Sequence, residues 1–302
     1  MHHTTLLHGI IPPIVTPLLE PDRLDVAGLE RLIEHLISGG VHGIFALGTT
    51  GEGPSLSSRL KRELVEHTCK FVRGRLPVLV GITDAAYFEA LDLAGFAADA
   101  GAHSVVCAPP FYFPTDQQEL LRYFQQMVAA LPLPLVLYNM PGMTKTVIEP
   151  ATVRALMQEA RILGIKDSSG DESNLEQLAS LAKERMDWRL FVGPDELTEK
   201  AVLLGGHGGV NGAANVRPRL LVDIYEAALR KDMGRLRILQ SQLEQLTRIY
   251  TVGRSAGRFI NGIKSALAHL GICNDCPAEP FQGLGPVDHE RVRSLLMEAA
   301  AA

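Results

Sequence analysis

The chain has 302 residues, 46% hydrophobic and 21% charged, a globular composition long enough for a full core in one or two domains. Its 29 Lys and Arg against 34 Asp and Glu give a net charge of −5 with no basic block, which argues against nucleic acid as a partner. No apolar run approaches the roughly 20 residues of a membrane helix, and "MHHTTLLHGI" lacks the regions of a signal peptide, so a cytoplasmic protein with no membrane partner is expected.

From the N-terminus, the paired His2 and His3 read as incidental. Short apolar runs then alternate with longer amphipathic ones. The predicted strands are 9–18, 42–50, 76–83, 103–110, 133–141, 162–169, 189–195 and 208–215. Several are apolar at nearly every position, the pattern of parallel strands covered on both faces. Between them, "DVAGLERLIEHLISGG" places Val26, Leu29, Leu32, Ile33 and Leu36 on one helical face and ends on two glycines. "SLSSRLKRELVEHTCKFV" begins with serines able to cap and carries Leu60, Leu64 and Val65 on one stripe. Further helices are predicted over 85–100, 116–130, 149–160, 172–183, 195–204 and 217–231.

These are eight β-then-α units in series. "GGVHGIFALG", "AGAHSVVCAP" and "GGHGGVNGA" repeat one theme, a helix-ending glycine leading through His into a strand. Eight parallel strands with right-handed crossovers close most naturally into an α/β fold of the (β/α)8 TIM-barrel class. A doubly wound open sheet would carry a glycine fingerprint after its first strand, and none is present. The predicted barrel spans 1–232. Residues 233–302 form a C-terminal three-helix extension, with helices near 234–250, 256–270 and 287–300, that packs on the barrel's flank or builds a subunit contact. Cys69 and Cys107 read as core thiols. Cys273 and Cys276 form a C-x-x-C without a second ligand pair, hence structural or incidental rather than zinc-binding or redox-active.

Active sites of this fold lie at the C-terminal ends of the strands. Strand two ends in "GTTGEG", where Gly48, Thr49 and Thr50 offer small hydroxyls and open backbone N–H groups; this suits a carboxylate or phosphate, or is simply a capped turn. Strand five ends in "YNMPGMT", aiming Tyr138 at the rim. Strand six ends in Lys166, inside "ILGIKDSS", where alternate side chains face the barrel interior. Burial there favours a neutral, nucleophilic amine. Lysine to attack a ketone, phenol to move protons and amide donors to hold an adjacent carboxylate describe imine chemistry on a 2-oxo acid. A phosphate at "GGHGGVNG" is the competing ligand. A metal site is not expected, because His42, His103 and His207 fall at strand starts, on the opposite face.

"GTTGEG", "YNMPGMT", "GIKDSSG" and "GGHGGVNGAANV" together resemble, across nearly the whole chain, the family of dihydrodipicolinate synthase and N-acetylneuraminate lyase, the pyruvate-dependent class I Schiff-base aldolases. The resemblance implies a barrel with a C-terminal helical extension, no metal or organic cofactor, a small-molecule 2-oxo acid substrate and a homotetramer built as a dimer of dimers. It implies Lys166 as the imine-forming lysine, Tyr138 as proton shuttle, Thr49 and Thr50 as the carboxylate-holding and relay pair, and Val210 and Gly48 in the substrate site. The synthases carry an arginine after Tyr-Asn-x-Pro that grips the carboxylate of aspartate semialdehyde; here that position is Met143, which forms no charge-assisted pair. Where they place a tyrosine pair after strand four, this chain has Pro110 and Phe111, with Tyr112 as a substitute in a lyase-like loop. Asp195 and Glu196 resemble the lyase's acidic pair for sugar hydroxyls, or are an acidic helix start. The expected activity is reversible cleavage of a 2-oxo-3-deoxy sugar acid, or a related 2-oxo acid, to pyruvate and an aldehyde. Dihydrodipicolinate synthesis, a sugar-acid dehydratase and an inactive ligand-binding barrel are the alternatives.

Overall fold

A computed structural model describes residues 6–301; His2 and His3 lie outside them. Eight parallel strands form one curled sheet: β1 (Gly9–Ile10), β2 (Ile44–Ala46), β3 (Val78–Gly81), β4 (Ser104–Cys107), β5 (Leu135–Asn139), β6 (Ile162–Asp167), β7 (Arg189–Val192) and β8 (Gly208–Gly209). Each pairs with its neighbour in sequence from β2 to β8, and β8 pairs back to β1. The ring closes between β1 and β2. Pro13 bridges Phe45, the Phe45 N–H donates to the Pro12 carbonyl (3.0 Å), and the Ile14 N–H donates to the Phe45 carbonyl (2.9 Å).

The first and last strands are shorter than the apolar runs predict. Pro12 and Pro13 have no N–H to donate, so the ladder thins after Ile10; residues 18–20 and 23–24 instead form a small antiparallel hairpin. After Gly209 the chain turns into a 3-10 segment, Gly212–Asn215. Gly208 makes the closure possible: at φ 144 it lies so near Gly9 that a Cβ would stand 1.9 Å from the Gly9 carbonyl oxygen. That close approach requires glycine.

The surrounding helices are α1 (Val26–Ser38), α2 (Ser58–Val72), α3 (Tyr87–Asp99), α4 (Gln117–Ala130), α5 (Pro150–Leu156), α6 (Glu172–Ala182), α7 (Thr198–Leu203) and α8 (Pro218–Leu229). Side-chain caps start several: Asp25 accepts from the Gly28 N–H, Ser57 from the Leu60 N–H, and Asp116 and Glu119 form a capping box. The stripes on α1 and α2 bury Leu29, Leu32, Ile33, Leu36, Leu60, Leu64 and Val65 against the outer face of the strands.

Alternation along the strands separates this outer core from a smaller one inside the barrel, where Phe45, Leu79, Val106, Val136, Tyr138, Phe191 and Val210 pack together. At the strand starts, Nδ1 of His42 accepts from the Ile10 N–H and Nδ1 of His207 from the Leu190 N–H (both 3.1 Å). These histidines satisfy backbone donors at the end away from the rim.

Three more helices complete the chain, α9 (Met233–Thr247), α10 (Arg258–His269) and α11 (Pro286–Ala301). They do more than pack on the flank: part of this segment caps the C-terminal end of the barrel. The Cys273 and Cys276 loop docks on α1, with Asn274 bonded to Asp25. Burial pushes the Cys273 thiol up to about 12, so it is no ready thiolate.

Candidate active site

Tyr138 on β5 and Lys166 on β6 are register partners on adjacent parallel strands, so their side chains emerge on the same face. That face is the barrel interior. Lys166 is 4% exposed, and its Nζ lies 4.1 Å from the centre of the Tyr138 ring and 5.3 Å from that of Phe45. The next pair, Asn139 and Asp167, faces the other way. Asn139 Nδ2 donates to Asp167 (2.7 Å), Asn174 and Ser169 donate to the same carboxylate, and Asn139 Oδ1 accepts from the Ile148 N–H. Burial pushes the Asp167 carboxyl above its ordinary range despite those hydrogen bonds. This polar clamp holds the two strand ends in register, and hence Tyr138 against Lys166.

Thr49 Oγ1 and the Tyr138 hydroxyl are 3.1 Å apart. Burial alone would raise the phenol's pKa; the charge of Lys166 and hydrogen bonds with Thr49, Ser168 and Lys166 outweigh it and hold the phenol below its usual value. In the loop after β2, Leu47 and Glu52 adopt left-handed φ of 61° and 56°. Gly51, Glu52 and Gly53 donate inward to the carbonyls of Gly48 and Thr49. Among the described residues, no backbone carbonyl accepts from the N–H of Thr49 or Thr50. Without a backbone partner, these two amides have the donor capacity that an anion-binding turn uses.

Above these groups opens a cavity of about 330 Å³. Gly48, Thr49, Tyr138 and Met143 line it, Met143 at its mouth with 60% exposure. Thr50 is buried but is not among the lining residues. Lys166 is likewise buried and not among them; it reaches the cavity's edge through the Tyr138 and Phe45 rings that line it. Four other expected residues are not brought to it. Val210 is packed in the interior core. Tyr112 is 75% exposed outside the cavity, and its neighbour Phe111 lines the wall instead. Asp195 is buried, accepting from the Tyr250 hydroxyl (2.7 Å) and the Ala213 N–H (3.0 Å). Burial pushes its carboxyl up to about 6. Glu196 is exposed to solvent. Asp195 therefore ties the start of α7 to the C-terminal extension, and Glu196 faces solvent.

Sequence reading also missed several groups. Phe45, which touches Lys166, looked like one more core residue. Ala256, Gly257, Ile260 and Phe281 wall the cavity from the extension, and nothing local in their sequence marks them. Glu52 lines the cavity and forms a fully buried ion pair with Lys264 of α10. Gly193, after β7, has a signal in hindsight: it ends a strand beside the lysine. A Cβ there would stand 1.9 Å from Ser168 Oγ and 3.3 Å from Lys166 Cε.

The model of the dihydrodipicolinate synthetase family matches residues 6–299. The chain belongs to this family. It is 32% identical over 294 residues, 97% of this chain and 99% of the relative, to 4-hydroxy-tetrahydrodipicolinate synthase of Methanoculleus marisnigri. It is 33% identical over 266 residues, 87% of each chain, to a probable 2-dehydro-3-deoxy-D-pentonate aldolase of Escherichia coli. Among solved structures, dihydrodipicolinate synthase of Bacteroides thetaiotaomicron superposes with a TM-score of 0.95 at 46% identity, covering 98% of this chain and 99% of that one. A prophage protein of the family from E. coli, solved in complex with pyruvate, gives 0.93 at 28% identity, covering 99% and 100%. As a member of the dihydrodipicolinate synthetase family, the chain is an enzyme, a carbon–carbon lyase of the class I aldolase type. No helix among the described residues is long and apolar enough to cross a membrane.

Proposed function

We propose that this family member reversibly cleaves a 4-hydroxy-2-oxo acid to pyruvate and an aldehyde through an imine on Lys166. The observation that carries the reading is the buried amine of Lys166 set 4.1 Å from the Tyr138 ring, with Thr49 bonded to that phenol. The pyruvate complex of the related E. coli protein supports the choice of keto acid.

The Lys166 amine adds to the C2 carbonyl, and loss of water forms a protonated imine. Deprotonated Tyr138 takes the proton of the C4 hydroxyl as the C3–C4 bond breaks. Its bonding electrons flow into the imine to give an enamine, and the C4 oxygen leaves as the aldehyde carbonyl. Tyr138 then returns the proton to C3, and water adds to the imine carbon to release pyruvate and the free amine. Thr49 relays protons to and from the phenol, while its open amide, with that of Thr50 behind it in the same turn, receives the C1 carboxylate.

The sugar-acid substrate expected from Asp195 and Glu196 loses its motivating contact, since neither lines the cavity. Condensation with aspartate semialdehyde, the activity named for several relatives, would need a cation for the second carboxylate, and Met143 provides none.

Exchange of the pyruvate methyl hydrogens in D2O, followed by NMR, tests the enamine without knowledge of the aldehyde. Wild type should exchange them well above the uncatalysed rate and Lys166→Ala should not. Equal exchange by both proteins would remove Lys166 from the chemistry.

A further inference from the structure

The other half of the substrate is written in the walls of the cavity. Its apolar surface comes from elements far apart in sequence: Phe45 on β2, Phe111 after β4, Met140 and Met143 after β5, and Ile260 and Phe281 from the C-terminal extension. At about 330 Å³ the space is at the small end of ligand pockets, which begin near roughly 300 Å³.

The polar groups on these walls are mostly engaged. Glu52 faces Lys264 and accepts from the Ala278 N–H at 2.6 Å. Thr83 Oγ1 accepts from the Ala108 N–H at 2.9 Å. Thr144 Oγ1 donates toward the carbonyls of Met140 and Thr146. Thr49 and Tyr138 belong to the reacting end. Ser55 is what remains; Lys166 sits behind the Tyr138 and Phe45 rings at the reacting end, and no Arg or Lys is among the lining residues. A polyhydroxylated chain would lose water there and find few partners, and a second carboxylate would find no counter-charge. An apolar group would lose nothing by entering and would cover aromatic and thioether surface.

Resting on the imine reading, we infer that the aldehyde released from C4 carries an apolar substituent, aromatic or branched aliphatic, rather than a sugar chain or an amino-acid side chain. Phe111 and Phe281 would receive that substituent, with Met143 closing over it at the mouth.

The test is condensation of pyruvate with four aldehydes by the full-length enzyme, with the product quantified by mass spectrometry: benzaldehyde, isovaleraldehyde, D-glyceraldehyde and aspartate semialdehyde. The better of the two apolar aldehydes should exceed both polar ones in kcat/KM by at least about tenfold, the discrimination expected when a pocket leaves polar groups unpaired. Equal use, or preference for either polar aldehyde, overturns the inference. Pyruvate methyl exchange measured on the same preparation separates the two readings. Exchange together with a polar preference overturns the substrate class alone; no exchange and no condensation overturns the imine reading and this one with it. Met143→Arg, which brings a cation to the mouth, should raise the ratio of aspartate semialdehyde to benzaldehyde use by about tenfold or more. An unchanged ratio would show that the cavity does not seat the aldehyde.

Discussion

Glu52 and Lys264 form an ion pair with both side chains fully buried, joining the loop that carries Thr49 and Thr50 to helix α10. Lys264 also donates to the Cys276 carbonyl (2.8 Å), and Glu52 accepts from the Ala278 N–H. The pair therefore fastens the C-terminal extension over the end of the barrel where the cavity opens. Removing one partner leaves a buried charge uncompensated, so Lys264→Met or Glu52→Gln should cost about 3–5 kcal/mol of stability. The double variant should cost less than the sum of the two, because it leaves no lone charge. Denaturant unfolding measures all three; single variants as stable as wild type would show that the pair does not hold in solution.

Tyr138→Phe keeps the ring against Lys166 and removes the proton-carrying oxygen. Turnover should fall by about 10²–10⁴, the range for losing a positioned acid–base group, while the imine with pyruvate still forms. Unchanged turnover would take Tyr138 out of the mechanism.

Gly193→Ala tests the crowding around the lysine. The added methyl collides with Ser168 Oγ and presses on Lys166 Cε, displacing the amine or a hydroxyl that bonds the phenol. A displacement near 1 Å at a reacting group costs on the order of 10² in rate, and kcat should show it more than melting temperature does. Full activity in a folded Gly193→Ala protein would mean that the site tolerates the shift.

Asp195 carries a pH signature. Burial lifts its carboxyl to about 6 from the ordinary 3.8. The folded state therefore holds more protons than the unfolded chain between those values, and stability falls as pH rises through that window. The loss from this group is on the order of 2–3 kcal/mol, complete above about pH 6. Asn at this position has no such titration. The stability of wild type minus that of Asp195→Asn should thus decline between about pH 4 and pH 6 and then flatten. A difference independent of pH would show that Asp195 is not held as described.

Local order made the juxtaposition of Tyr138 and Lys166 legible in the sequence. Period-two alternation put Tyr138 and Lys166 on inward positions, and the barrel rule brought their strand ends together. The run at 9–18 was misread in length because two prolines silence its donors. The surroundings of Asp195 and Glu196 were not legible, because an acidic pair at a helix start looks the same whether it faces a ligand, solvent or Tyr250. Ile260, Lys264 and Phe281 were invisible as site residues. They reach the rim only through packing of a segment some 200 residues after Glu52 and Phe45, and no local pattern encodes that.

Borohydride trapping in the presence of pyruvate shows whether Lys166 bears the imine. Reduction fixes the imine as a stable secondary amine, and peptide mass mapping then locates it. The expected result is one pyruvate-derived adduct on the peptide containing Lys166, absent from Lys166→Ala. A well-folded protein with no adduct, or with the adduct on the other buried lysine, Lys264, would rule out an imine on Lys166.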